Sequence, residues 1–178
     1  MNSLILKNCT IADANHPEPR EGKHILIENE WIKEIEDQTI KSNSADSIDL
    51  KGKTALITGG SRGIGAMIAE GFVRNGVKTY ITSRKAEACD IKANELSEFG
   101  ECISVPADIN DMSQMNKLVS QIKDKEEKLN ILVNNAGAAW GASFDDFPEN
   151  GWDKVMDTNV KSVFFLTQKL ADILEKSA

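Results

Sequence analysis

Residues 58–65 read TGGSRGIG, four glycines around one arginine. The stretch follows TALIT, an apolar β-branched run, and opens GAMIAEGFVRNG, where Ile64, Ile68 and Phe72 recur at helical spacing up to Gly76. A glycine turn between a buried strand and a helix gathers unpaired backbone N–H groups and the positive helix end at one point. Such a point suits a diphosphate. Gly59 is expected to make the tight turn, Gly63 to let phosphate approach the backbone, and Gly65 to let the helix lie close on the strand. Ser61, Arg62 and Ile64 lie between them and share the expected ligand surface. The spacing is Gly-x3-Gly-x-Gly, not Gly-x-Gly-x-x-Gly, and an ordinary glycine turn is the bland alternative.

A second group stands at the end of the next strand, KTYITS at 78–83. A carboxylate there would hold a ribose 2′-hydroxyl, whereas a cation suits a 2′-phosphate. The place reads Thr82-Ser83-Arg84, and the first carboxylate comes only at Glu87. Arg84 and Arg62 can both offer a planar guanidinium to phosphate oxygens, beside the Ser83 hydroxyl. The chemistry points to NADP(H); surface arginines without a ligand are the alternative.

These groups need a scaffold that brings strand ends together. From Lys53 onward strand and helix alternate: TALIT at 54–58, a helix from the glycines, a strand at 78–83, a helix over 86–98, and a strand near CISVP at 102–106. Asn110-Asp111 then caps a helix with Gln114 in its first turn and Met112, Met115, Val119 and Ile122 along one face. NILVN at 130–134 is a fourth strand, and a last helix fits 158–175, where Val160, Val163, Phe164, Thr167, Leu170 and Leu174 recur at three and four. Units of this kind imply an α/β fold, a Rossmann-like doubly wound parallel sheet of about four strands.

The first fifty residues differ. They hold five Lys/Arg against ten Asp/Glu, whereas 51–178 hold sixteen against eighteen, within a net charge of −7 for 178 residues. LILKNC at 4–9, HILIEN at 24–29 and WIKEIE at 31–36 read as strands, the last two as a hairpin; Asn15, Pro17, Pro19 and Gly22 read as a loop and SNSAD at 42–46 as a polar linker. Two units are therefore expected: a small β-rich segment at 1–50 and a dinucleotide-binding unit at 51–178. The acidic balance argues against nucleic-acid and anionic-membrane partners. Cys9, Cys89 and Cys102 lack metal or disulfide spacing, His16 and His24 make no metal pair, and no apolar run is long enough to span a bilayer, so a metal-free cytoplasmic protein is expected.

TGGSRGIG, ADI at 107–109, NNAG at 134–137 and TNVKS at 158–162, in that order, resemble the short-chain dehydrogenase/reductase family. The resemblance covers residues 51–178 and is strongest to the 3-oxoacyl-(acyl carrier protein) reductase branch. It implies that Asp108 and Ile109 face the adenine, that Asn134, Asn135, Ala136 and Gly137 border the cofactor, and that Asn159 is the catalytic-site asparagine that holds a water in a proton relay. It further implies hydride transfer to a small carbonyl or acyl-thioester substrate, and a homo-oligomer. The family's general acid is a tyrosine with a lysine four residues on; the single tyrosine here, Tyr80, lies inside a strand with Arg84 four later. The family's Ser, Tyr and Lys would come after a fifth strand, so the expectation is the cofactor-binding half of such an enzyme, inactive alone, with an unpaired edge on the fourth strand where the fifth belongs and with Phe164, Phe165 and Leu166 exposed. A non-catalytic nucleotide-binding or interaction fragment is the competing reading. LILKNCTIAD and SIDLKGKT are similar to the opening of amidohydrolases, which makes residues 49–54 a plausible fusion point; a metal-dependent amidohydrolase, lacking ligands, is the weakest reading.

Overall fold

The computed structural model describes residues 3–13, 16–28, 31–37 and 45–177. Among them two four-stranded sheets share no strand. The front sheet is built from β1 (Ser3–Asp13), β2 (His16–Glu28), β3 (Trp31–Glu36) and β4 (Ala45–Asp49), in the order β3-β2-β1-β4. The hairpin expected at 24–36 is present, with Ile25 opposite Ile35 and Ile27 opposite Ile32.

Residues 17–22 are not the expected loop, because β2 runs through Pro17, Pro19 and Gly22. Its ladder with β1 changes register between Leu6 and Cys9, Cys9 and Ile11, and Ile11 and Asp13. Irregular pairing is where a strand accommodates residues that lack an N–H or a side chain. The proposed linker also shifts: Ala45 and Asp46 open β4, parallel to β1, while positions 42–44 lie outside the described residues.

The rear sheet is parallel, with β7 (Cys102–Ser104), β6 (Lys78–Thr82), β5 (Thr54–Thr58) and β8 (Ile131–Val133) side by side in that order. Helices α1 (Gly63–Arg74) and α2 (Ala86–Leu96) cover one face; α3 (Met112–Lys125) and α5 (Ser162–Glu175) cover the other. All five residues of β5 are buried, which is why TALIT is an unbroken apolar run: a central parallel strand is enclosed on both faces. Leu56 and Tyr80 join Met115, Leu118, Ile122, Leu166 and Leu170 in one core layer. Ile57 and Ile81 join Ala69, Val73, Cys89 and Leu96 in the other, where burial pushes the Cys102 thiol up to about 11. Among the described residues no helix is long and apolar enough to cross a membrane.

Two helix faces differ from the periodicity. In α1 the line on the sheet is Gly65, Ala69 and Val73, while Ile64 is 70% exposed. Small residues let the helix axis approach, so the larger Ile68 and Phe72 pack only at the margin. The last helix begins earlier than 158: α4 (Glu149–Met156) runs through a π turn at Asp157–Lys161 directly into α5. The π turn inserts a residue and rotates the following turns. The buried row becomes Thr158, Ser162, Leu166, Leu170 and Ile173, leaving Val160, Phe164 and Thr167 outward and Leu166 inside instead of exposed.

The expected cap of α3 is in place, with a different partner for Gln114. Asp111 accepts from the backbone of Ser113 and Gln114 and from both their side chains, which holds its carboxyl down to about 2. Gln114 Oε1 accepts from Asp108 N at 3.0 Å instead of reaching back to the cap amide. The cap's contribution is therefore complete above the ordinary carboxylate range and is lost as pH falls through about 2.

At the amino ends of the strands, the Tyr80 hydroxyl donates to Glu126, and Lys78 Nζ pairs with Glu126 at 2.8 Å and Glu101 at 3.1 Å. Burial first, then the bond to Glu126, raises the Tyr80 phenol; the two carboxylates raise Lys78. Tyr80 is fully buried, so Glu126→Ala leaves its hydroxyl without an acceptor. Urea denaturation should show a loss of about 2 kcal/mol for Glu126→Ala and a smaller loss for Glu126→Gln, which keeps an acceptor.

Candidate functional site

At the carboxyl end of β5 the chain turns through Gly59 at φ 68° and Gly63 at φ 55°, both in the left-handed region that favours glycine. The loop is tied to the neighbouring strand, since Gly59 N and Gly60 N both donate to Thr82 O, at 2.8 and 3.2 Å. Arg62 holds the N-cap position in extended backbone; no side chain caps α1 there, and its first turn carries no acidic residue. The opening amides of α1 are thus left for an anion. A Cβ at Gly65 would stand 2.3 Å from Gly59 O and 2.5 Å from Asn135 Nδ2, so the helix start lies on the loop at a distance that only glycine permits. Ser61 is half-buried, and Ile64 and Arg62 are exposed beside these amides.

The second wall is the segment after β8. Thr58 Oγ1 accepts from Asn135 N at 3.0 Å and Ala136 N at 2.9 Å, and Asn135 Nδ2 donates to Thr58 O at 2.9 Å. Thr58 therefore fastens the NNAG segment to the glycine loop. Sequence reasoning did not single it out; the signal was a hydroxyl residue closing an otherwise apolar strand. Asn134 turns away, its Nδ2 donating to Thr167 Oγ1 at 3.3 Å. Gly137 lies beside Asn159, whose Oδ1 would be 3.5 Å from a Cβ there.

Asn159 sits inside the π turn and closes the far end of this wall. Its Oδ1 accepts from Ala138 N and its Nδ2 donates to Ala138 O, both at 2.8 Å. Two residues on, Trp140 packs against Gly151 of α4, where a Cβ would meet its ring at 2.8 Å, and Lys154 Nζ stands 5.3 Å above that ring. The same helix reaches the loop after β7 through Asn110 Nδ2, which donates to Thr158 Oγ1 at 2.9 Å.

Beyond β6 and β7, Ser83 O accepts from Ala107 N at 3.1 Å and Ser83 Oγ donates to Lys85 O. Asp108 Oδ1 accepts from Asn110 N at 3.0 Å, and Ile109 is buried. Arg84 is exposed, and among the described residues neither its guanidinium nor that of Arg62 has a hydrogen-bond or ion-pair partner. The structure thus ties Asn135 and Ala136 to Thr58 and sets Asn135 against Gly59 and Gly65, places Gly137 beside Asn159, and sets Ser83, Asp108 and Ile109 on the adjoining strand ends. Tyr80 stays apart, bonded to Glu126 at the opposite end of the sheet.

Residues 53–178 match the profile of the short chain dehydrogenase family. The chain is 46% identical over 129 residues to the rhamnolipids biosynthesis 3-oxoacyl-[acyl-carrier-protein] reductase of Pseudomonas aeruginosa, covering 72% of this chain and 50% of that protein. It is 35% identical over 127 residues to gluconate 5-dehydrogenase of Gluconobacter oxydans, covering 71% of this chain and again 50% of the relative. Among solved structures it superposes on the Pseudomonas aeruginosa RhlG/NADP active-site complex with TM-score 0.70 and 45% identity, over 73% of this chain and 51% of that one. L-sorbose reductase from Gluconobacter frateurii, complexed with NADPH and L-sorbose, superposes with TM-score 0.68 at 26% identity, over 72% and 51%. The chain spans about half the length of these relatives.

Because the methyl group of Gly65→Ala meets the Gly59 backbone as well as the Asn135 side chain, the glycine loop must open to admit it. Thermal unfolding should show destabilisation of at least about 1 kcal/mol, with dinucleotide affinity reduced by about tenfold or more in a fluorescence titration.

Proposed function

The chain belongs to the short chain dehydrogenase family, and on that premise we propose that residues 51–178 are the NADP(H)-binding half of a carbonyl oxidoreductase. The observation that carries the reading is the uncapped start of α1 set against Gly59 and Asn135, with two unpaired guanidinium groups nearby. The residues fit the cofactor. Amides from Gly63 onward would hold its diphosphate, Arg62 and Arg84 with Ser83 its 2′-phosphate, Asp108 and Ile109 its adenine, and Asn135, Ala136 and Gly137 its nicotinamide side. Bound there, the nicotinamide supplies or accepts a hydride.

Asn159 would serve the site through what its clasp leaves over. The side-chain oxygen and one amide hydrogen are engaged by Ala138. A water is then held by the remaining amide hydrogen or by the backbone of the π turn. A 3-oxoacyl thioester is the substrate class we assign, with fatty-acid metabolism as its setting; the 46% identical Pseudomonas aeruginosa reductase supports it. We further take the protein to act in the cytoplasm as a homo-oligomer. Residues 1–50 we regard as a unit of separate, amidohydrolase-like origin, and the pairing of the front strands only with one another supports that view.

A second reading, nucleotide binding without turnover, is favoured by one observation: the single tyrosine is buried and bonded to Glu126, away from the glycine loop. Titrations with NADPH and NADH, followed by an acetoacetyl-thioester assay, separate the two. Saturable NADPH binding without oxidation by these 178 residues supports the second reading for them; NADPH oxidation would mean that they carry a general acid other than the family's tyrosine; no binding of either coenzyme removes both. Arg84→Asp should erase most of the preference for NADPH, a change of about tenfold or more in the ratio of dissociation constants. An unchanged ratio would contradict the role given to Arg84.

A further inference from the structure

The segment that joins β8 to α4 builds a cleft that the dinucleotide site does not use. Phe144, Phe147, Pro148, Glu149 and Trp152 line it, and its volume is about 410 Å³. Local bonds hold the segment in place. Ser143 Oγ donates to Asp146 Oδ2 at 2.8 Å, closing a turn that carries Phe144 and Asp145 between them. Pro148, in extended backbone, precedes α4, and its carbonyl oxygen accepts from Gly151 N at 3.0 Å and Trp152 N at 3.1 Å, which fixes the first helical turn beside the proline. Trp140 packs on Gly151 and so steadies the same turn. Phe144 is nevertheless 96% exposed, its ring held in water beside the cleft.

We propose that this cleft binds the trimethylammonium group of a small free solute of the choline class, with Phe144, Phe147 and Trp152 as an aromatic cage and Glu149 as the counter-ion. An aromatic face carries negative charge density and attracts a cation placed over it. The charge around the cleft has the same sign. No Lys or Arg occurs from Leu129 to Asp153, whereas Asp145, Asp146, Glu149 and Asp153 alternate with the three rings. Lys154, the next cation along the chain, is drawn off over Trp140, with Nζ 5.3 Å from that ring. Glu149 in the first turn of α4 also offsets the positive end of that helix, which would otherwise repel a cation. The lining then selects among cations. Phe and Pro side chains accept no hydrogen bond, so a primary ammonium would leave N–H donors unpaired on entry. A quaternary ammonium has no N–H to satisfy. A neutral group of the same shape would meet the rings but gain nothing from the carboxylates, and an anion would be repelled by them.

An NMR titration of the labelled full chain tests this, with circular dichroism as the check of folding. Choline chloride should shift the signals of Phe144, Phe147 and Trp152 saturably, with a dissociation constant of about 1 mM or lower, and leave Gly63 and Gly65 unmoved. The neutral isostere with a tert-butyl group in place of trimethylammonium, and ethanolamine as the primary amine, should each bind about tenfold more weakly or worse. Phe144→Leu, at a ring too exposed to support the fold, and Glu149→Gln should each raise the dissociation constant for choline about fivefold or more. No saturable shift at the three aromatic residues, equal affinity for either analogue, or unchanged affinity in either variant overturns the proposal. Association with phosphatidylcholine vesicles without binding of free choline overturns the assignment to a solute. The unmoved glycine loop keeps this result separate from the coenzyme titration.

Discussion

The approach of α1 to the glycine loop is the contact from which the rest of the site follows. With Gly59 O only 2.3 Å from where a Gly65 Cβ would be, helix and strand end at one point, and the turn between them is confined to Gly59 through Arg62. That confinement leaves the opening amides of α1 without internal partners. The same closeness explains the core beneath: Ala69 and Val73 continue the line of Gly65 onto Ile57 and Ile81, so the small-residue face is a packing surface and a ligand surface at once.

Two fastenings keep the opposite wall in register with that loop. Thr58 is the end of the strand that the glycines follow, and its hydroxyl receives the amides of Asn135 and Ala136. Asn159 then holds Ala138 by both its amide and its carbonyl. Polar groups paired on both sides between elements favour one geometry. The π turn lets one helix satisfy two demands: it turns Asn159 toward Ala138 while Leu166, Leu170 and Ile173 stay on the sheet. Wider winding at one turn supplies the offset that a regular helix could not.

Much of this was legible from residue types. The order of strands and helices after Lys53, the cap at Asp111 and the glycine loop follow from local signals: β-branched runs, an Asx residue before a helix, glycines at a strand end. The failures share a physical reason, that period alone does not say which side of a helix meets the sheet. Ile64, Ile68 and Phe72 look like a core face, yet close packing rewards the smaller Gly65 and Ala69. Val160 looks internal by its period until the π turn, which no local composition announces, rotates it outward. In the front segment Pro17 and Pro19 read as loop because a ladder with irregular register has no simple sequence mark. Thr58 was read as part of a strand, and its role depends on residues more than seventy positions away.

The central claim is that amides at the start of α1 grip the diphosphate of the coenzyme. Backbone amide NMR of the labelled protein during an NADPH titration tests it most directly. The account predicts saturable shifts at Gly63, Ile64 and Gly65, with Lys78, Glu101 and Glu126 at the far end of the sheet unmoved. Binding with the largest shifts elsewhere, and those three amides unchanged, would contradict it.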